Sequence, residues 1–261
     1  MPKINVYLPE ELAAAVRAAG ISVSPVCQRA LAEEVQMVDG IRSTIEQIRG
    51  HSFDFRSSPQ IGSRIWGHMT GRLRDTTRLA LDLSPADGHV HTSHLLIALL
   101  DQGENLGIRV LQSLNVDLDV LRSAAVEIDA AHGDARPSPT HDSEWDAGLD
   151  PGKSLFWIRL TRAARMTMVA ALESSLELGH RYLGCEHLLI GLLQEEEGGA
   201  GMLLRSFDLS PTSVRRSVTS AVSGFNYARD TSPANADNGL EEILRRLEAL
   251  EQQAASPFPA D

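Results

Sequence analysis

The chain has only two cysteines, Cys27 and Cys185, in 261 residues. Both fall within apolar helical patterns, which points to buried reduced thiols and away from a disulfide framework or a cysteine metal site. Aromatic residues are few, at 5% of the sequence. Basic charge is also scarce. Lys and Arg number 24 against 35 Asp and Glu, a net charge of −11, which excludes a protein that coats nucleic acid over its whole surface. No apolar run approaches membrane-spanning length, and the N-terminus lacks a signal-peptide layout, so a cytoplasmic, soluble protein is expected. What remains is an ordinary hydrophobic content of 43% with little aromatic bulk, the profile of a helical globular chain.

The charge is unevenly spread. Residues 1–60 carry six Lys/Arg and seven Asp/Glu, leaving 18 against 28 for the remainder. Within that neutral segment, Ile4, Val6 and Leu8 alternate with Lys3, Asn5 and Tyr7, the pattern of a strand with one apolar face. A helix with Leu12 and Val16 follows, and Gly20 ends it. Ser24-Pro25 then reads as an N-cap with proline at the first helical position, opening a helix striped by Cys27, Leu31 and Val35. One strand and two helices cannot bury a core alone, so a partner is expected. Ile41, Ile45 and Ile48 extend a helical period, and "GHSFDFRSSPQ" reads as a linker, so residues 37–60 are taken as connecting sequence.

Beyond it the chain repeats itself. HLLIALL at His94–Leu100 recurs as HLLIGLL at His187–Leu193, 93 residues later, and the offset carries through Val110/Leu203, Leu111/Leu204 and Leu114/Phe207. Kept apolar positions with free polar ones indicate a duplicated unit, over about 61–130 and 155–224. The core runs are apolar all round, which places them inside each unit. His94 and His187 read as satisfied structural histidines. Residues 131–154, rich in Pro, Gly and Asp, form an inter-repeat loop. Ala147–Ser154 there fits a relaxed phosphate-loop pattern, but the acidic "THDSEWD" before it cannot be the buried strand such a loop needs. No catalytic constellation stands out, so no catalytic residue, metal or cofactor is expected. Residues 225–261 form a tail in which Leu240, Ile243, Leu244, Leu247 and Leu250 stripe a short amphipathic helix.

Two resemblances sharpen this. "KINVYLPEELAAAVRAAGISVSPVCQRALAEEV", about residues 2–36, resembles the ribbon-helix-helix family of dimeric DNA-binding domains. It implies a homodimer with paired strands in the major groove, with Lys3, Asn5 and Tyr7 facing bases and the amides near Ser24 meeting a phosphate. "LTRAARMTMVAALESSLELGHRYLGCEHLLIGLLQEEEGGAGMLLRSFDLSPTSVRRSV" resembles the second repeat of the N-terminal domain of ClpC-type Clp unfoldases. "HMTGRLRDTTRLALDLSPADGHVHTSHLLIALLDQGENLGIRVLQSLNVDLDVLR" is similar to the first.

The implied fold is mainly α: a pseudo-twofold pair of four-helix repeats over 61–224, with a small β-α-α module at 1–36 and the C-terminal helix. The implied activity is recognition without catalysis, of Clp substrates, adaptors or other peptide ligands. It would serve as a decoy or sensor, coupled to DNA binding and transcriptional regulation, or as an adaptor of the Clp protease machine that uses its N-terminal module only to dimerise. The resemblance further implies phosphoarginine binding, by a threonine at the start of each first helix and a glutamate at the start of each core helix. Thr161 and Glu186 supply both in the second repeat. The first keeps Thr70 but has Ser93 in place of the glutamate, so its site is expected to be weak. A surface where the repeats meet, with Trp66, Leu160 and Arg165, is implied for cyclic peptide antibiotics, although Trp66 closing the interface between repeats serves equally well.

Overall fold

The computed structural model describes residues 5–50, 53–84, 88–132 and 154–230. The inter-repeat loop, the C-terminal amphipathic helix and Lys3 lie outside the described residues. Among those described the protein is helical, with twelve helices and only isolated bridges in place of strands.

Two helices open the chain, α1 (Glu10–Ala18) and α2 (Val23–Arg49). The alternating segment before them is not a strand: residues 5–9 have no regular structure and are largely exposed. Alternation alone cannot make a strand, because its backbone groups must pair with a second one, and the described residues of this chain supply none. Nor is Ser24 the cap of the second helix. That helix starts two residues earlier, with Ser22 at the N-cap, and Pro25 falls within its first turn, where a missing N–H is still tolerated. It also runs past the expected boundary at residue 36. Ile41, Thr44, Ile45 and Ile48 are buried, and Arg49 pairs with Glu173 at 2.7 Å. Phe55, in the expected linker, is likewise in the core, edge-on to Phe53 and tilted against Trp157. Apolar side chains at helical spacing were the signal, and the body of the protein covers them.

Helix α3 (Pro59–His68) leads into the first repeat: α4 (Gly71–Asp82), α5 (Thr92–Asp101), α6 (Leu106–Ser113) and α7 (Leu118–His132). A short α8 (Phe156–Arg159) leads into the second: α9 (Arg162–Glu177), α10 (Cys185–Gln194), α11 (Gly199–Ser206) and α12 (Pro211–Asp230). The correspondence reaches the backbone. Asn115 and Asp208, 93 apart, both sit at positive φ (58° and 59°) before the fourth helix of their repeat, a conformation Asn and Asp tolerate best among residues with a side chain. The core helices α5 and α10 are buried along nearly their whole length, as the HLLI pattern required.

His94 and His187 occupy the same place in both repeats. Each accepts the backbone N–H of the N-cap residue through Nδ1, at 3.0 Å from His91 and 2.9 Å from Gly184. They therefore act as the Glu of a capping box would, satisfying a helix-end donor that burial cuts off from water.

The two repeats are laced crosswise. The Thr70 N–H donates to the Leu183 carbonyl (2.9 Å) and the Leu183 N–H to that of His68 (2.8 Å). At the symmetric place the Val90 N–H donates to Arg159 O (2.8 Å) and the Thr161 N–H to Val90 O (3.1 Å). Each first helix thus begins beside the core helix of the other repeat.

Candidate functional site

That lacing decides which residues meet. Thr70 caps α4, its hydroxyl accepting the Leu73 N–H at 3.3 Å; Thr161 caps α9 in the same way, accepting from Ala164 at 3.2 Å. Thr70 comes together with Glu186 of the second repeat, in a cavity of about 690 Å³. Thr161 comes together with Thr92 and Ser93 of the first, in a smaller cavity of about 260 Å³. The expected pairing of Thr161 with Glu186 inside one repeat is therefore not what the fold makes. Backbone pairing between distant segments leaves no mark in side-chain patterns, and this is why the sequence pointed to the wrong partner.

Three helix N-termini open on the larger cavity, those of α4, α6 and α10. Their first-turn amides lack intrahelical acceptors and carry the positive end of the helix dipole. Asn105 caps α6, its Oδ1 accepting the Ile108 N–H at 3.0 Å and its Nδ2 donating to Leu99 O at 2.8 Å. Arg72 and Arg109 add positive charge. Arg72 stands 3.7 Å from Glu104, but both side chains are at least half exposed and solvent screens the pair to little net energy.

Opposite this positive lining sits Glu186, only 3% exposed. Burial holds its carboxyl above the usual carboxylate range, while its own backbone N–H and the Tyr182 hydroxyl pull it back down. Its Oε1 has no hydrogen-bond partner. Burial also pushes the Tyr182 hydroxyl up to about 12, with Glu186 adding to the effect. Cys185, on the same rim, is likewise raised to about 12 by burial, so it stays a protonated and unreactive thiol. Gly184 is needed here for space: a Cβ on it would lie under 3.0 Å from the Glu186 carboxylate. The first repeat changed both positions together, with His91 where Gly184 stands and the smaller Ser93 where Glu186 stands. Ser93 then donates to Asp129 of α7 at 2.7 Å.

His180, Glu186 and His187 cluster closely enough to suggest a metal site. Hydrogen bonding argues against one. Because His187 Nδ1 accepts the Gly184 N–H, its proton resides on Nε2, which then donates to His180 Nδ1 at 2.9 Å. A nitrogen carrying a proton cannot ligate, and moving the proton would set two N–H groups against each other at the helix cap. Burial lowers His180 and takes His187 down to about 3, so both rings are neutral near pH 7.

The other expected site residues are dispersed. Trp66 is buried in α3 and covered by the Arg74 and Arg78 guanidinium groups, 5.5 and 5.4 Å from its ring centre. Leu160 is buried beside its bridge to Val90, and Arg165 donates to Phe53 O at 3.1 Å. Trp66 thus offers no open face for stacking. Asn5, Tyr7 and Ser24 are exposed at the N-terminal end. Sequence reasoning missed Arg72, Asn105, Arg109 and Tyr182. Asn105 before "LGIRVL" is a readable capping signal, but nothing in sequence joins it to residues 77 positions away. No described helix is long and apolar enough to cross a membrane.

Comparison with known proteins bears on the same region. Residues 159–258 match the Clp repeat (R) N-terminal domain. The chain is 30% identical over 173 residues to the chloroplastic ATP-dependent Clp protease ATP-binding subunit ClpA homolog CD4B of Solanum lycopersicum, covering 64% of this chain and 17% of that protein. It is 31% identical over 159 residues to the chaperone protein ClpC3 of Oryza sativa subsp. japonica (61% and 15%), and 28% identical over 226 residues to ClpC2 of the same plant (84% and 22%). The chain thus spans about a fifth or less of the length of these relatives. The N-terminal domain of the caseinolytic protease associated chaperone ClpD from Arabidopsis thaliana is similar at 18% identity and a TM-score of 0.40, covering 61% of this chain and 97% of that one. The chain carries a Clp N-terminal repeat domain homologous to those of ClpC and ClpA.

Proposed function

We propose that this Clp N-terminal repeat domain is a non-catalytic recognition module for protein ligands that present a phosphorylated guanidinium, taken up in the cavity between α4, α6 and α10. The observation that carries the reading is the pairing of opposite demands in one space. Three helix N-termini with Arg72 and Arg109 suit a phosphate. A buried carboxylate with an unused oxygen, Glu186 Oε1, suits a guanidinium. A phosphoarginine side chain carries both groups. The smaller cavity, with Ser93 in place of the carboxylate, lacks the second half. In this role the domain receives a client or adaptor protein of the Clp system.

Calorimetry with free phosphoarginine is the direct test. Wild-type protein should bind it, and Glu186→Gln should weaken binding by about 1.5–3 kcal/mol, a charged hydrogen bond's worth, or more than tenfold. Unchanged affinity in Glu186→Gln would refute the site. Arginine alone and inorganic phosphate alone should each bind more weakly than the joined ligand.

A second reading concerns the N-terminus. Tyr7 is 93% exposed and Asn5 and Ser24 are open, so contact with base edges and phosphate is sterically free. In this reading two copies pair their Ile4, Val6 and Leu8 segments as strands on DNA. A gel shift on the chain's own upstream region should then lose its complex when Lys3, Asn5 and Tyr7 are changed to alanine, and should weaken steeply with salt. A complex that survives the triple change counts against groove reading.

A further inference from the structure

Tyr182 lines the larger cavity beside Glu186, and its mounting is unusually firm for a half-buried side chain. Its neighbour Leu183 makes the backbone bonds to Thr70 and His68 that lace the repeats. Its ring lies flat on His180, with centroids 5.1 Å apart and planes 11° from parallel, and edge-on to His187 at 5.5 Å. Those two rings are themselves held, by the Gly184 N–H on His187 Nδ1 and by the 2.9 Å bond between them. The tyrosine hydroxyl is thereby kept in one place, and that place is at the Glu186 carboxylate.

Glu186 needs such a donor. It is 3% exposed, so water cannot serve the lone pairs of its carboxylate. Its own backbone N–H supplies one bond. His187 Nδ1, 3.5 Å from Oε1, cannot supply another, because it already accepts from Gly184. The Tyr182 hydroxyl is the side-chain group that donates, and Oε1 is left without a partner. Gly184 completes the seat, since a Cβ there would lie 2.4 Å from Oε2 and 2.6 Å from Oε1.

We propose that Tyr182 is a positioning residue for recognition: its hydroxyl holds one oxygen of Glu186 and so presents the bare Oε1 to a ligand's guanidinium. The proposal rests on the phosphorylated-guanidinium reading of the cavity. A hydrogen bond donated to a carboxylate favours its charged form, and the charged form is what binds a guanidinium strongly. Without the hydroxyl, burial would carry the carboxyl further above the usual carboxylate range. A neutral carboxyl would then offer the ligand a proton where it needs an acceptor. The first repeat has lost the two groups together. Ninety-three residues earlier, His89 stands at the place of Tyr182 and Ser93 at that of Glu186, while His94 keeps the cap of His187. Such joint loss is what a hydroxyl that serves the carboxylate entails.

Calorimetry on the full chain tests it with Tyr182→Phe, which keeps the ring and its contacts and removes only the hydroxyl. Affinity for free phosphoarginine should fall about tenfold, the worth of a hydrogen bond to a charged group. Affinity for inorganic phosphate should change by less than about twofold, because the amides and arginines that suit it are untouched. In a Glu186→Gln background the same change should have little further effect, since the group through which it acts is gone. Raising the pH from 7 to 9 should restore much of the loss, because the carboxyl made neutral ionises again. The readout is the ratio of wild-type to variant affinity, in which the ligand's own titration cancels. Around Glu186, burial raises Tyr182 and Cys185 to about 12 and lowers His180 and His187, so none of these four changes charge over that range. Arg72 and Asp75 of α4, and Glu104 and Arg109 beside α6, face this region in both proteins alike. A Tyr182→Phe protein that binds phosphoarginine like wild type, or whose deficit is the same at pH 7 and 9, overturns the proposal and leaves the reading of the cavity standing. A wild-type protein that binds no phosphoarginine, or a Glu186→Gln protein that binds it unchanged, overturns both.

Discussion

Replacing Gly191 by alanine is expected to destabilise the protein by about 3 kcal/mol or more, although alanine is the better helix former by about 1 kcal/mol. The reason is the crossing of α9 and α10. A Cβ on Gly191 would lie under 3.0 Å from the Thr167 carbonyl oxygen and 2.9 Å from the Ala171 nitrogen, and both are backbone atoms of the facing helix. A side chain could swing aside; a helix backbone has to move as a whole, in a core that is already close-packed. For a domain of this size the thermal midpoint should fall by roughly 6–12 °C. Differential scanning calorimetry decides it, and a midpoint within about 2 °C of wild type would show that the helices separate freely. The first repeat has Ala98 at the matching position, buried without difficulty, so the reverse change Ala98→Gly should cost only about 1 kcal/mol. Two units with one pattern pack their central helices at different depths.

The second large effect is acid destabilisation through the His180–His187 pair. His187 falls from an ordinary 6.5 to about 3 in the fold, chiefly by burial. The unfolded chain therefore takes up a proton as pH drops through 6.5, while the folded protein does not follow until about pH 3. Stability from this residue is full above pH 6.5 and is lost progressively below it, by about 3 kcal/mol at pH 4. His180 is lowered as well and acts in the same direction, since a proton on its Nδ1 would face the proton on His187 Nε2. Glu186 works the other way. Its raised folded value means that its unfavourable charge is relieved as pH falls through that value. The destabilising slope from His187 should thus develop below pH 6.5 and persist until about pH 3, with Glu186 subtracting from it. Urea midpoints from pH 7.5 to 4 should trace this fall, and His187→Gln, which can keep both hydrogen bonds without titrating, should flatten it. An equally steep curve in His187→Gln would place the effect elsewhere.

Both expectations concern positions that look alike in sequence. His94 and His187 carry the same cap, yet the outer nitrogen of one faces Asp129 and that of the other faces His180. Gly191 and Ala98 differ by a methyl group that one repeat accommodates and the other excludes. Side-chain pattern records that a helix is buried, but not how near its neighbour lies.

The sequence by itself determined much of this protein. The 93-residue offset placed the core helices, the apolar runs declared them buried, and Thr70 and Thr161 marked helix starts, because all of these are local: they depend on periodicity and on caps that bond to their own helix. Even so, the threonine caps stand 91 residues apart while the core helices stand 93 apart, since α9 has 16 residues to the 12 of α4 and the connection after it is only two residues shorter. Only the tertiary structure decided that α2 continues into the body and that the segment before it is not a strand. Only the tertiary structure decided, too, that Glu186 meets Thr70 and not Thr161. Those outcomes rest on hydrogen bonds between backbone segments about a hundred residues apart and on which faces another element reaches. Backbone amides are the same at every residue, so nothing in the order of side chains announces where they will pair.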